Sequence, residues 1–322
     1  HFEISADLLD EDMLAVLSTA REGLFQLETG IQSTNIDTLS AVTRKTDLDK
    51  IYDNVKRIKS FGNMHQHLDL IAGLPYEGIL SFKRSFNDVY SLRPDMLQLG
   101  FLKLLKGSAL REKADLYEML YSKKAPYEIL KNKWLNYDDT LKLKDIEHLV
   151  EIYYNSGMFK ATLEYGQSLF DSPFDMLNFF TYYWDRKNLY SISNNKNAVY
   201  SIIYNFLGSF GKTDVLKNLL KFDMYSNENV KNPPDWIENT DYSQLNVRIN
   251  EFYSNEENIK VYFGDFKDRT PRQMSRINHI ERFDYDITGF LENGVLVNKD
   301  TFILFVYPEG KNKKTKIYNV HI

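Results

Sequence analysis

Three polar residues, Glu28, Gln32 and Asp69, stand where strand-like runs lead into glycine turns, at positions suited to ligand chemistry. The runs are QLETGIQST, residues 26–34, and HQHLDLIAGLPYE, residues 65–77. Each run alternates apolar and polar residues, reaches a glycine turn and continues into a helical pattern. In βα units the loops after the strands hold ligands, so side chains at these strand ends are candidates for binding or catalysis.

Two histidines, His65 and His67, lie two residues apart beside Asp69, and this spacing allows two interpretations. Two imidazoles on one face of a strand are a possible pair of metal ligands. Neighbours on one strand face lie about 7 Å apart, however, and the sequence offers no third ligand of certain position. Hydrogen bonding inside the sheet or a barrel lumen is the favoured interpretation, and a metal is the alternative.

The segments around these residues alternate between strand and helix patterns. Asp7 is the predicted N-cap of a helix over 9–20, and Asp47 and Gly62 are predicted to begin and end a helix over 48–61. Successive βα units predict a parallel sheet with right-handed crossovers. The predicted strands cover 1–4, 24–29, 64–71 and 96–102, and further helices are predicted over 36–42 and 81–92.

Polar and apolar side chains alternate within the predicted strands, which distinguishes two kinds of parallel sheet. A sheet covered by helices on both faces has strands that are nearly all apolar. Here one face of each strand is polar, which predicts a barrel wall with helices on the apolar side and a ligand-holding lumen on the other. Satisfied polar groups in a core are the alternative. The predicted lumen residues are Gln26, Glu28, His65, His67, Asp69 and Gln98.

Four stretches in this order resemble the second half of the barrel of radical S-adenosylmethionine (radical SAM) enzymes. They are HFEISADLL, GLFQLETGIQSTN, HLDLIAGLP and LRPDMLQLGFLKLLKG. The chain is most similar to the subgroup that has an N-terminal cobalamin-binding domain and a C-terminal domain of unknown function. The resemblance implies a barrel of six βα units in which three cysteines after the first strand bind a 4Fe-4S cluster. Since the chain contains no cysteine, we expect it to be a fragment that lacks the cluster ligands.

The same resemblance implies roles for individual residues in binding S-adenosylmethionine. Glu28, Gln32 and Ser33 match positions near the ribose hydroxyls, and a planar carboxylate or amide suits a vicinal diol. The turn at 71–75 matches the one that packs beside adenine, although Tyr76 stands where the family commonly has glycine. The predicted cofactor-binding residues are Glu28, Gln32, Ser33, Asp69, Ile71, Gly73, Leu74, Pro75, Gln98 and Leu99.

After the barrel-like part, long helical patterns rich in aromatic residues extend to about residue 236. Seven of these aromatic residues are predicted core residues: Tyr153, Tyr154, Phe159, Phe179, Tyr182, Tyr183 and Trp184. Later strands are predicted at NIKVYFGDF, ERFDYDI, TFILFVYP and KTKIYNVHI, the last two joined by the turn EGKNKK. The predicted fold is therefore α/β. A partial radical SAM barrel (1–112) is followed by a helical accessory domain (113–236) and a small antiparallel β region (237–322).

Composition excludes several classes of protein. The 322 residues are 43% hydrophobic and 26% charged, and no apolar run approaches the length of a transmembrane helix. A net charge of -5 argues against nucleic acid as a partner. The absence of cysteine and of a leader favours the cytoplasm.

The functional prediction follows from the resemblance. We expect a fragment of a radical SAM iron-sulfur enzyme whose intact parent cleaves S-adenosylmethionine reductively and acts on an unknown substrate. The expected cofactors of that parent are S-adenosylmethionine, a 4Fe-4S cluster and, from the subgroup, cobalamin. The fragment alone is not expected to be catalytically competent. The alternative is a non-catalytic binding or assembly module that acts through its aromatic accessory domain.

Overall fold

Four parallel strands in the order β1-β2-β3-β4 form the sheet of the first of two structural units. The computed structural model describes residues 1–191, 195–237, 245–264, 269–308 and 314–322. The first unit comprises His1–Gly157 and Phe170–Tyr190, and the second comprises Met158–Leu169 and Ser191–Ile322. The division into three domains expected from the sequence stays a prediction.

The elements alternate as predicted in the first hundred residues. In the first unit the strands are β1 (Phe2–Ile4), β2 (Gln26–Gln32), β3 (His65–Ala72), β4 (Met96–Phe101), β5 (Leu120–Tyr121) and β6 (Ile129–Lys131). The helices α1 to α8 are Glu11–Ser18, Ile36–Ala41, Leu48–Phe61, Ile79–Ser91, Ala109–Glu112, Tyr137–Leu149, Lys160–Gln167 and Pro173–Arg186. Of these, α7 belongs to the second unit.

The remaining elements all lie in the second unit. The helices α9 to α14 are Lys196–Leu207, Thr213–Asn227, Asn246–Ser254, Glu256–Tyr262, Pro271–Ile277 and Ile287–Asn293. The strands are β7 (His279–Tyr285), β8 (Asn298–Val306) and β9 (Lys316–Val320), which pair as an antiparallel sheet. The predicted turn EGKNKK lies outside the described residues except for its last lysine. The predicted fold class, a parallel sheet with helices followed by helices and a small antiparallel sheet, is confirmed.

Side chains and backbone conformation at the helix ends explain where the early helices begin and stop. The Asp47 carboxylate accepts the amide of Lys50 at the start of α3, and Gly62 ends that helix with a φ of 67°. Both predictions are confirmed. The prediction for α1 is wrong: its cap is Asp10, which accepts the amide of Met13, because Asp7 lies in a short 3₁₀ turn, Ala6–Leu8.

The helices cover the apolar face of the parallel sheet. Leu27 of β2 packs in a buried cluster with Leu14 of α1 and Ile58 of α3. Gln66 of β3 points the same way, and its amide donates to the carbonyl of Val55 in α3. The face that carries Gln26 and His67 is therefore the one opposite these helices.

One predicted strand is a helix. The run that begins at Asn258 forms α12, because the Asn255 side chain accepts the amides of Glu257 and Asn258 and starts the helix. Ile259 and Phe263, four residues apart, then pack into one apolar cluster. The last two residues of that predicted strand lie outside the described residues.

Two predicted core aromatics lie at the surface. Phe179 and Tyr182 of α8 are 50% and 53% exposed, whereas Trp184 and Tyr153 are fully buried. Helical periodicity explains the difference, since Trp184 lies on the apolar face of α8 and the other two lie on the opposite side. No helix among the described residues is long and apolar enough to span a bilayer.

Candidate functional site

Register pairing places the polar residues of neighbouring strands on one face of the sheet. Glu28 pairs with Glu3 on one side and with His67 on the other. Asp69 pairs with Gly30 of β2 and with Gln98 of β4. Paired residues of parallel strands point to the same side of the sheet, so these side chains share one surface. We name that surface the polar face. Its side chains are those of Glu3, Gln26, Glu28, His65, His67, Asp69 and Gln98, and all of these except Glu3 were predicted from the alternation.

Asp69 and Glu28 form a carboxyl pair at the centre of the polar face. Burial, a side-chain hydrogen bond with Glu28 and the negative charges of Glu28 and Glu3 together raise the pKa of Asp69 to about 7. Asp69 is therefore present at neutral pH in both its protonated and its ionised form. Among the described residues its Oδ1 is buried without a partner.

Histidines occupy the part of the polar face toward the start of the strands. His67 Nε2 lies 2.6 Å from the amide nitrogen of Gln26 and 3.0 Å from His65 Nδ1. Burial and the nearby His65 lower the pKa of His67, so its ring is neutral at neutral pH. His1 Nε2 lies 2.6 Å from Glu28 Oε2. Among the described residues no group of three or more His, Asp or Glu side chains is arranged to hold a metal ion.

A bulge at the end of β2 brings two further side chains to the polar face. The register shifts between Gly30 and Gln32, and Gln32 has a φ of 69°. A Cβ placed on Gly30 would lie 3.9 Å from both the Gln32 amide nitrogen and Arg44 Nη2. Arg44 also donates to the carbonyl of Gly30. The contact of Arg44 with Gly30 was not predicted, because Arg44 follows α2 and lies outside the strand patterns.

Ser33 belongs to a separate buried network. Glu77 Oε1 accepts the hydroxyl of Ser33 at 2.7 Å and the hydroxyl of Ser85 at 2.8 Å. Burial raises the pKa of Glu77, against the effect of these two donors. The network ties the loop after β2 to the loop after β3 and to α4. Ser33 is fully buried, so its contact to a ligand stays a prediction.

The turn after β3, residues 73–78, is packed beneath residues 127–135. Leu74 is 2% exposed and shares a buried cluster with Leu102 and Ile129. Asn132 donates to the carbonyls of Gly73 and Leu74, at 2.8 Å and 3.4 Å.

The structure thus gathers only some of the predicted cofactor residues on one surface. Glu28, Asp69 and Gln98 share the polar face, Ile71 follows on the same side by alternation, and Gln32 reaches it through the bulge. The other five, buried elsewhere at the strand ends, are Ser33, Gly73, Leu74, Pro75 and Leu99. The role of all ten in cofactor binding stays a prediction.

Comparison with known families covers the larger part of the chain. Residues 115–305 match a family described as a protein of unknown function, DUF4080. The chain belongs to the DUF4080 family. The match covers the end of the first unit and most of the second, and the parallel sheet lies before it.

Partial similarities of this DUF4080 chain extend to two proteins described by coproporphyrinogen-III oxidase activity or likeness. An oxygen-independent coproporphyrinogen-III oxidase-like protein, HemZ, of Bacillus subtilis (strain 168) is 26% identical over 113 residues, which are 35% of this chain and 22% of HemZ. The chain therefore spans less than a quarter of that relative. Coproporphyrinogen III oxidase (HemN) from Escherichia coli, described as a radical SAM enzyme, has 23% identity and a TM-score of 0.35. That similarity covers 46% of this chain and 31% of HemN.

A second solved structure is a radical S-adenosylmethionine methyltransferase, TsrM, from Kitasatospora setae, bound to tryptophan and a SAM analogue. It has 14% identity and a TM-score of 0.32, over 40% of this chain and 26% of TsrM. Both solved structures are described as radical SAM proteins, and membership of this chain in that family stays a prediction. The cobalamin-binding subgroup stays a prediction.

Proposed function

We propose that this chain contributes part of a radical SAM barrel and that its polar face binds S-adenosylmethionine in an intact parent enzyme. The observation that carries the proposal is the set of aligned carboxylates and amides on one face of a parallel sheet. Helices cover the other face, as expected for a barrel wall. The similarity to HemZ supports the family, while the reaction and substrate of the parent stay open.

The polar face fits the adenosyl part of the cofactor. Asp69 Oδ1 lacks a partner among the described residues, and Gly30, the residue paired with Asp69 on β2, has no side chain. A buried oxygen without a donor costs free energy that a ligand hydroxyl can recover. Glu28 and Gln32 add further acceptors and donors for a ribose diol.

The chain does not fit a 4Fe-4S cluster. Such clusters are held by cysteine thiolates, and the sequence contains none. Cluster ligands would have to come from another part of the parent, so no step of the reaction is assigned to these residues. Cobalamin remains a prediction for the parent.

In this proposal, the residues of the chain itself bind and orient S-adenosylmethionine. Bound S-adenosylmethionine supplies the sulfonium and the adenosyl group whose reductive cleavage starts radical chemistry. With its pKa raised to about 7, Asp69 is present at neutral pH in both protonation states, and its protonated form can donate a hydrogen bond to a ligand oxygen. Arg44 donates to the carbonyl of Gly30, the residue paired with Asp69 on β2, and so fixes the backbone beside the carboxyl pair.

Calorimetric titration of S-adenosylmethionine into the intact parent tests the proposal. A hydrogen bond to a charged group contributes about 1.5 to 3 kcal/mol, so Glu28→Ala should weaken binding roughly ten- to a hundredfold. Gln32→Ala removes neutral bonds and should cost up to about tenfold. Glu11→Ala, at an exposed position in α1, is the matched control and should leave the affinity unchanged. Equal affinity in all four proteins would exclude this face from the cofactor site, and no binding by the unmodified parent would refute the proposed function.

A second candidate function is a binding or assembly module. Exposed Phe179 and Tyr182 support it, because large aromatic side chains at a surface are typical of contact sites. The parent reading frame separates the two candidates. A CxxxCxxC motif upstream of this chain favours the enzyme, and its absence favours the module.

A further inference from the structure

A short segment, residues 127–135, binds to the ends of two neighbouring strands of the polar face. The amide of Ile129 donates to the carbonyl of Leu102, and the amide of Leu104 donates to the carbonyl of Tyr127, at 2.8 Å and 3.0 Å. Both contacts lie just beyond β4. We name residues 127–135 the cover segment. All of it lies within residues 115–305, the part of the chain that matches the DUF4080 family.

Asn132 links the cover segment to the turn after β3. Its side-chain amide donates to the carbonyls of Gly73 and Leu74, at 2.8 Å and 3.4 Å. Its oxygen accepts the amides of Trp134 and Leu135, at 2.9 Å and 2.8 Å. Asn132 is 7% exposed, so these bonds are shielded from water. One side chain therefore holds two loops in a fixed arrangement.

The backbone of the turn is shaped for this close approach. Gly73 has a φ of 88°, and a Cβ there would lie 2.6 Å from Ile129 Cγ2. A Cβ on Gly78 would lie 2.7 Å from the carbonyl oxygen of Trp134. The ring of Tyr76 packs on that of Trp134, with centroids 4.4 Å apart. Glycines at both contact points let the turn and the cover segment touch along their backbones.

We infer that Asn132 is a positioning residue. It holds the turn after β3, which directly follows Asp69 and Ile71 of the polar face, in the shape that the proposed S-adenosylmethionine site requires. The inference rests on the proposed function. The turn carries no regular backbone pairing of its own, and its carbonyls at Gly73 and Leu74 are fixed by Asn132. A ligand that packs against a pre-shaped turn does not spend binding free energy on ordering it.

The most specific variant is Asn132→Asp. Aspartate keeps an oxygen for the amides of Trp134 and Leu135 but replaces the donor by an oxygen that faces the carbonyls of Gly73 and Leu74. Gly78→Ala is an independent variant, because its Cβ would push Trp134 away without changing Asn132. Its φ of -88° is available to alanine.

Asn63→Ala provides the matched control. Asn63 is also a buried asparagine of the first unit, and its amide donates to the carbonyls of Leu17 and Ala20, both at 2.9 Å. It precedes β3 and so lies at the opposite end of that strand. Loss of Asn63 should lower the melting temperature as loss of Asn132 does, without disturbing the β3 turn.

The test measures the affinity of the intact parent for S-adenosylhomocysteine and amide hydrogen exchange over residues 70–78. Asn132→Asp and Gly78→Ala should each weaken binding by about tenfold and speed exchange in the turn, while Asn63→Ala binds within about twofold of the unmodified protein. Unchanged affinity in both turn variants, or an equal loss in Asn63→Ala, would overturn the positioning role. No binding by the unmodified parent would instead refute the proposed function on which the role depends.

Discussion

Replacement of Asp69 by asparagine should make the first unit more stable at alkaline pH. Burial and the neighbouring Glu28 raise the pKa of Asp69 from 3.8 to about 7 in the folded protein. The protonated carboxyl is thus favoured by folding, and the stability it contributes is present below pH 3.8 and lost as the pH rises through 7. Asparagine resembles the protonated carboxyl in shape and stays neutral.

The magnitude follows from the two pKa values. A difference of about three pH units corresponds, at 1.36 kcal/mol per unit, to roughly 4 kcal/mol. Asp69 is partly exposed, and solvent screening reduces this to about 2 kcal/mol. The unmodified protein and the Asp69→Asn protein should therefore unfold with similar free energies at pH 4, and at pH 8 the Asp69→Asn protein should be more stable by about 2 kcal/mol.

Urea denaturation at several pH values measures this difference, and Asp95→Asn provides a control of opposite sign. Burial acts to raise the pKa of Asp95, but the Gln66 amide and the charge of Lys59 outweigh it and lower the pKa. The stability from Asp95 is present above pH 3.8 and lost as the pH falls, so Asp95→Asn should destabilise most at alkaline pH. Parallel pH profiles for the Asp69→Asn and unmodified proteins would refute the raised pKa of Asp69.

Three further predictions concern stability and the cluster. Trp184→Ala should lower the free energy of unfolding by about 3 to 5 kcal/mol, because the ring is buried. Tyr182→Ala, at an exposed position, is the control and should change that free energy by less than about 0.5 kcal/mol. Equal effects of the two substitutions in urea denaturation would refute the assigned burial. Asp223→Ala should lower the free energy of unfolding by about 2 kcal/mol, because the buried carboxyl group accepts hydrogen bonds from two backbone amides in the first turn of α7. Asp214→Ala, at an exposed position in α10, is its control. Equal unfolding midpoints for the two variants would contradict the capping role. Anaerobic reconstitution of this chain with iron and sulfide should leave it colourless, and a stable visible absorption band after gel filtration would contradict the need for cysteine.

Local patterns explain why much of the first unit could be predicted. Period-two alternation assigned Glu28, His67 and Asp69 to one face, since successive strand residues point to opposite sides. Asp47 and Gly62 marked the ends of α3 because capping acts within one turn of chain. The same locality misled the prediction at residues 258–266, where short apolar runs fit a strand and a helix equally well and the Asn255 cap decides for the helix.

The sequence by itself determined the parallel βα order, the polar face and the lack of any thiolate ligand for a cluster, because each depends only on residue type and near neighbours. Tertiary structure alone decided which distant groups complete the site. Arg44 reaches Gly30, Glu77 joins Ser33 to Ser85, and Asn132 holds Gly73 from 59 residues away. Such contacts depend on how loops fold over strand ends, and no periodicity in the chain records them.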